Sequence, residues 1–396
     1  MEIYCDSAAT TALDPEVLDA MLPYLTRHYG NASSSHKFGK KAKDALEESR
    51  QTVADLLNVS SEDIFFTSGA TEADNLAISG SIRTYDIQHV ITSRIEHKAV
   101  LQILGQYSQE ENLKVSFVKL DNKGNPDLSH LEELLNENPL SLVSLMHGNN
   151  EIGNLNNLAY ISNLCQEYEA VFHSDTTQSI GKYRYNLKNL PLDFMVGSAH
   201  KFHGPKGAGF IYINKYRRIK PHILGGAQER GTRGGTENIA GIVGLAKALS
   251  LAYENFEKNQ DYVLSLKRYF LNSLKNSGIA DISFNGESDS PDKSLGNILS
   301  VAFPGLHTGG SLVSRLDAYD IAVSGGSACS NLLNAGSHVL RALQRNLDKD
   351  NVRFSFSRYN TFSEVDHIVS VIQEVYRKEE IFSKKTSGKS TLVGAF

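Results

Sequence analysis

Cysteine is scarce in this 396-residue sequence: Cys5, Cys165 and Cys329 stand far apart and are odd in number. That excludes a framework of paired disulfides and a Cys-x-x-Cys metal site, and it leaves at least one thiol free within the chain. Charge of one sign is also lacking. With 40 basic against 45 acidic residues, the formal net charge of −5 gives no general pull toward nucleic acid or an anionic membrane, so small molecules and neutral protein surfaces are the expected partners. No stretch approaches the roughly 18 apolar residues of a membrane span, and the opening Met1-Glu2-Ile3-Tyr4-Cys5-Asp6 is not a basic segment leading into an apolar one. A soluble, cytoplasmic protein is expected. Internal repeats and low-complexity segments are absent too.

What is present is enough apolar residue, 40% of the chain, to fill the cores of about two to three domains. Short β-rich runs alternate with segments of helical period: 64–66 then 71–79, 90–92 then 97–106, 142–146 then 158–169, followed by runs at 171–173, 192–196 and 209–213. Such alternation predicts an α/β layer sandwich around a mostly parallel sheet. An amphipathic helix over 40–57 precedes the pattern, and a long one over about 239–258 follows it. Beyond that the texture changes to a mixture of helix and strand (298–302, 312–316, 353–357). The expected division is a large domain over 14–258 and a smaller α+β domain over 259–396, joined by residues 1–13. The tail Lys384 to Thr391 imitates the end of a Walker A loop, but Ser383 stands where glycine is needed and no apolar strand precedes it, so a polar, mobile terminus is expected.

Ligands of open α/β sheets bind beyond the carboxyl ends of the strands. Here five apolar runs end in polar groups: Thr67-Ser68-Gly69-Ala70-Thr71, Glu96-His97, His147-Gly148-Asn149-Asn150, Asp175-Thr176-Thr177-Gln178 and Ser198-Ala199-His200-Lys201. One such end is an ordinary loop; five together point to a shared site. Ser68 to Thr71 opens a helix after a strand, so the backbone N–H groups at Ala70 and Thr71 and the Thr71 hydroxyl suit a phosphate, with Ser198 and His200 to complete the cradle. Asp175 would be buried at a strand end, where a carboxylate needs a cation: either a structural partner or a protonated pyridine nitrogen. Lys201 at the end of a buried run either reaches water along its stem or holds an aldehyde. With His97 to stack on a ring and Gln178 for a phenolic oxygen, the parts match pyridoxal phosphate.

In order along the chain, "DSAATTALDPEVLDAM" (from Asp6), "GNASSSHKFG" (Gly30), "FTSGATEADNLAI" (Phe66), "EHKAV" (Glu96), "MHGNNEIG" (Met146), "HSDTTQSIGK" (His173), "SAHKFHGPKG" (Ser198), "GGAQERGTRGGTEN" (Gly225), "VSGGSACS" (Val323) and "VRFSFSRYNT" (Val352) resemble the cysteine desulfurases. That resemblance implies a pyridoxal-phosphate transferase type fold with a seven-stranded sheet in its large domain. It implies Lys201 as the Schiff-base lysine, His97 on the ring, Asp175 on the pyridine nitrogen, Gln178 on the phenolic oxygen, Asn150 near that oxygen or the substrate, and Ala70, Thr71, Ser198 and His200 around the phosphate. Thr236 resembles the threonine that reaches the neighbouring subunit's phosphate, implying a homodimer. Arg353 matches the arginine that grips the substrate carboxylate.

Cys329 decides the activity. An isolated cysteine is usually buried and inert, but Ser324-Gly325-Gly326-Ser327-Ala328-Cys329-Ser330 offers almost no core surface. The resemblance implies that Cys329 takes sulfur from L-cysteine as a persulfide, leaves L-alanine, and passes the sulfur to an acceptor such as an iron–sulfur scaffold protein. The chain departs from the family at Ala32, where proline is common, at Ala227, where a third glycine is common, and in the apolar "SNLLNAGSHVL" after Cys329. The alternatives are a related lyase or transaminase, such as a selenocysteine lyase, that does not depend on Cys329, and a non-enzymatic protein-binding fold.

Overall fold

The computed structural model describes residues 2–111, 113–138, 140–306, 310–325 and 336–390, with side chains described to residue 381. Cys329 lies outside the described residues. In chain order the strands are β1 (Ile3–Tyr4), β2 (Ile64–Thr67), β3 (His89–Thr92), β4 (Lys114–Phe117), β5 (Leu142–Ser144), β6 (Val171–Asp175), β7 (Phe194–Ser198), β8 (Gly209–Ile213), β9 (Ser283–Phe284), β10 (Ile298–Phe303), β11 (Ile321–Ala322) and β12 (Asp350–Ser355). The helices are α1 (Pro15–Thr26), α2 (Lys37–Leu57), α3 (Ala70–Tyr85), α4 (Lys98–Glu110), α5 (Leu128–Glu137), α6 (Leu158–Glu167), α7 (Ile239–Glu254), α8 (Phe256–Lys275), α9 (Leu312–Asp317), α10 (His338–Leu343) and α11 (Phe362–Ser390).

The chain forms two compact units: Thr10–Asn149 with Leu155–Glu257, and Met1–Ala9 with Asn150–Asn154 and Lys258–Phe396. The larger unit is built on a seven-stranded sheet of order β2-β8-β7-β6-β5-β3-β4. Six of its strands run in one direction, and β8, antiparallel to both of its neighbours, runs against them. Strands buried on both faces explain the near-continuous apolar runs. Along β6 the faces alternate, so Val171 joins one apolar cluster, with α3 and α4, and Phe172 joins the other, with α2 and α7. The edge strand β4, half-exposed and alternating as Lys114-Val115-Ser116-Phe117, is not marked by an apolar run.

The smaller unit contains a three-stranded antiparallel sheet, β12-β10-β9, and the parallel pair β1-β11. Phe270, Phe303, Phe354 and Phe356 fill its core together with the apolar side of α11, including Val365, Ile368 and Ile372. Two boundaries differ from the sequence reading. Residues 10–13 go with the larger unit because Thr11 bonds to the backbone of His200 and His203. Asn150–Asn154 go with the smaller unit because Asn150 O accepts from Arg353, Gly153 O from Leu295 N, and Asn154 Oδ1 from Glu287 N. The tail also differs: α11 continues as helix to Ser390, since no proline interrupts its run of Lys, Arg and Glu. Among the described residues no helix is long and apolar enough to cross a membrane.

Lys267 on α8 is buried, and its Nζ donates to Ser294 Oγ at 2.8 Å and Leu295 O at 2.9 Å. Burial pulls its pKa down to about 7, against the upward effect of Asp289. The unfolded chain keeps that proton to about pH 10.4. Between the two values the unfolded state binds more protons, so this residue makes stability rise with pH. Paired melts of the wild type and Lys267→Met are expected to show the wild type gaining on the variant between about pH 7 and pH 10. A constant difference over that window would show that the native ammonium stays charged.

Candidate active site

The carboxyl ends of β6 and β7 lie side by side, with Asp175 paired to Val196. β7 ends in Ser198, and a 3₁₀ turn over Ala199–Lys201 follows. Backbone bonds hold this turn: Ala199 N to Ala208 O at 3.0 Å and Phe202 N to Ala199 O at 3.1 Å. The Thr11 hydroxyl and amide both donate to His200 O at 2.9 Å. His200 Nδ1 lies 3.1 Å from Thr10 Oγ1. Burial, with Lys201, Lys206 and Lys182 nearby, lowers the His200 pKa to about 4, so its ring is a neutral hydrogen-bonding group at physiological pH.

The other strand ends of the larger unit supply the remaining groups. Asp175 is buried, and its Oδ1 accepts from Thr177 N at 2.9 Å. Gln178 is buried one turn on. α3 begins at Ala70 after Gly69, which provides no side-chain cap; the open N–H groups of the first turn therefore face outward beside the exposed Thr71. A Cβ built on Gly69 would stand 3.6 Å from Ser198 Oγ, which puts that hydroxyl beside the helix start. His97 is the N-cap of α4, its Nδ1 accepting from Ala99 N at 3.2 Å, so the helix start aims the ring. Thr71 and His97 line one groove of about 620 Å³, together with Asn75, Lys98 and Gln102. An uncapped helix start with two hydroxyls suits a phosphate, and a buried carboxylate with a nearby primary amine suits a pyridine aldehyde, so these residues fit pyridoxal phosphate.

Beneath Asp175 lies a pair that the sequence reading missed. His173, two residues earlier on the same face of β6, has Nε2 3.2 Å from Asp74 Oδ1, and both side chains are fully buried. The approach has ion-pair distance but not the angle of a good hydrogen bond. His173 Nδ1 lies 2.9 Å from Ser144 Oγ. Burial, then the charges of Asp175 and Glu96, pushes Asp74 well above the usual carboxylate range, and burial lowers His173 to about 4. Burial thus disfavours the charged form of both groups. Only the two-residue spacing of His173 and Asp175 is visible in sequence; the partner on α3 is about 100 positions away.

In the smaller unit the structure brings Arg353 and Asn150 together. Arg353 is buried on β12, with Nη2 2.8 Å from Asp6 Oδ1 and Nη1 2.7 Å from Asn150 O. Its backbone pairs with Ser324, at the amino side of the cysteine segment. At the other side Ser337 caps α10 and donates to Glu151, whose carboxylate is buried. Both flanks of that segment are therefore anchored. Cys5 and Cys165 are buried, and burial pushes both thiols far above their usual range, which makes them poor nucleophiles.

Thr236 is exposed in the segment "GGAQERGTRGGTEN", just after Gly235 at φ 102°. Arg50 and Glu229 hold this segment as a buried two-pronged pair at 2.7 and 2.9 Å, and Glu229 also accepts from Phe66 N at 2.8 Å. Glu229 and Arg230 adopt left-handed φ of 45° and 54°, strain that the ion pair sustains.

The aminotransferase class-V family model matches residues 3–368. The cysteine desulfurase IscS of Dictyoglomus turgidum is 36% identical over 381 residues, 95% of each chain. Among solved structures, a NifS-like protein superposes with a TM-score of 0.87 at 36% identity, covering 95% of this chain and all of the other. A second, described as SspA in complex with cysteine, gives 0.76 at 30% identity over 91% of this chain and all of the other.

Proposed function

Because the chain belongs to the class-V aminotransferase family, and within it to the cysteine desulfurases, we propose that it is a cytoplasmic, homodimeric enzyme that takes sulfur from L-cysteine onto Cys329. The observation that carries this reading is the convergence of Asp175, Gln178, Ser198, His200 and Lys201 at the adjacent ends of β6 and β7. Thr71, Ala70, Ser198 and His200 would hold the phosphate of pyridoxal phosphate, Asp175 its ring nitrogen, Gln178 its phenolic oxygen, His97 its ring face and Lys201 its aldehyde. When bound, this group supplies an electron sink next to the substrate Cα.

The chain's own residues do the rest. Arg353 binds the substrate carboxylate, with Asn150 in support. Lys201 Nζ moves the proton at Cα, a positioned acid–base role worth about 10²–10⁴-fold. The Cys329 thiolate attacks the substrate sulfur: the carbon–sulfur bond breaks, a sulfur–sulfur bond forms, and a proton returned to carbon gives L-alanine. The outer persulfide sulfur then passes to an acceptor, for which an iron–sulfur scaffold protein is the proposed class. Thr236 would reach the partner subunit's phosphate. An exposed apolar patch, with Leu18, Leu22 and Leu25 on one side of α1 and Tyr29 and Phe38 beyond it, supports self-association.

The test is product analysis with L-cysteine, pyridoxal phosphate and a reductant. Alanine and sulfide in equal amounts, with the cofactor's yellow colour retained, are expected. A keto acid, with the cofactor converted to its amine form, would replace this reading by transamination.

A further inference from the structure

Glu72 stands in the first turn of α3, where a phosphate would bind, and an anion there repels it unless matched. Its match comes from the glycine-rich segment: Arg233 Nε lies 2.9 Å and Nη2 3.4 Å from the Glu72 carboxylate. Glu72 also turns back on its own helix start, accepting from Ser68 N at 3.0 Å and Ser68 Oγ at 2.5 Å. Against the upward push of its burial, Arg233 and the Ser68 donors hold Glu72 below the usual carboxylate range. Three residues after Arg233 comes Thr236, exposed. The same segment is fixed a second time, by Glu229, to Arg50 and to the Phe66 amide of β2. One ion pair thus binds the segment to the helix that opens the phosphate cradle of its own subunit, and a second ties it to α2 beside a hydrogen bond to β2.

We propose that Arg233 and Glu72 are positioning residues that act in trans: by tying the segment to the first turn of its own α3, they present Thr236 to the cradle of the partner subunit. This rests on the reading that the enzyme is a dimer in which Thr236 completes the partner's phosphate site. Each subunit's cradle then both binds a cofactor and holds the part that completes the other cradle. The two-pronged contact explains arginine at position 233, because a lysine makes a single point contact.

Mixed dimers test the proposal. One subunit keeps Lys201 and the other carries Lys201→Ala, so the covalently linked, yellow-absorbing cofactor forms at one site only. Pyridoxal phosphate is titrated into the apo-protein and followed by absorbance. With Arg233→Gln only on the subunit that lacks Lys201, binding at the intact site is expected to weaken by about tenfold or more, the scale of losing a charge-assisted hydrogen bond. Arg233→Lys in the same place is expected to recover part of it, which controls for misfolding. Unchanged affinity in that arrangement, with weakening only when Arg233→Gln sits on the subunit with Lys201, would overturn the proposal. Thr236→Val separates the underlying reading: if it leaves affinity unchanged in a stable dimer, the shared phosphate site itself is wrong.

Discussion

Replacing Lys201 by alanine is expected to lower alanine production from L-cysteine by at least about 10³-fold, the upper part of the range for a positioned acid–base group. On the proposed reading two functions would go together: the covalent hold on the cofactor and the proton transfer at Cα. The fold should survive, because backbone bonds at Ala199, His200 and Phe202 hold the turn. Circular dichroism and the molecular mass in solution should therefore match the wild type. After borohydride reduction, the wild type should carry the mass of the cofactor on Lys201 and the variant should not. A variant that kept more than about a tenth of the rate would assign the proton transfer to another group, His97 first.

Cys329→Ser is expected to give the second largest effect and a different signature. The variant should bind pyridoxal phosphate and turn yellow like the wild type, yet release sulfide at least about 100-fold more slowly, since a hydroxyl is a far weaker nucleophile toward sulfur than a thiolate. The other two cysteines give no rescue, because both are buried with thiols pushed far from ionisation. Trapping with a thiol-alkylating reagent after one turnover should find the extra sulfur on the peptide containing Cys329 and on neither of the others. Equal sulfide release from variant and wild type would favour a lyase that expels sulfur directly.

The strand ends carried most of the readable information. Parallel strands buried on both faces leave apolar runs that stop where the polar groups begin, so Asp175 and Ser198 stood out as ends and are the last residues of β6 and β7. His97 was legible as a helix start and proves to be its cap. What escaped was long-range or solvent-facing. The half-exposed β4 has no apolar run to mark it. The long helix expected over 239–258 breaks at Asn255, between α7 and α8, where both sides keep helical periodicity. Asn150–Asn154 follow β5 in sequence but take their partners from residues near 287, 295 and 353, and no local pattern reports that. Asp74 and Glu229 look like ordinary helix and loop acids until their partners His173 and Arg50 are seen.

The clasp between the start of the larger unit and the lysine turn bears on how the protein matures. Thr11 and Ala12 bond to His200 and His203 across sequence separations of 189 to 192 residues. Contacts so distant close large loops and form late in folding. The turn that carries Lys201 is thus completed only after the first and middle parts of the chain have met. Nascent chains should acquire their visible colour late, and that colour marks finished molecules: a partly folded chain, lacking the clasp, would present its lysine without the surroundings that make it reactive.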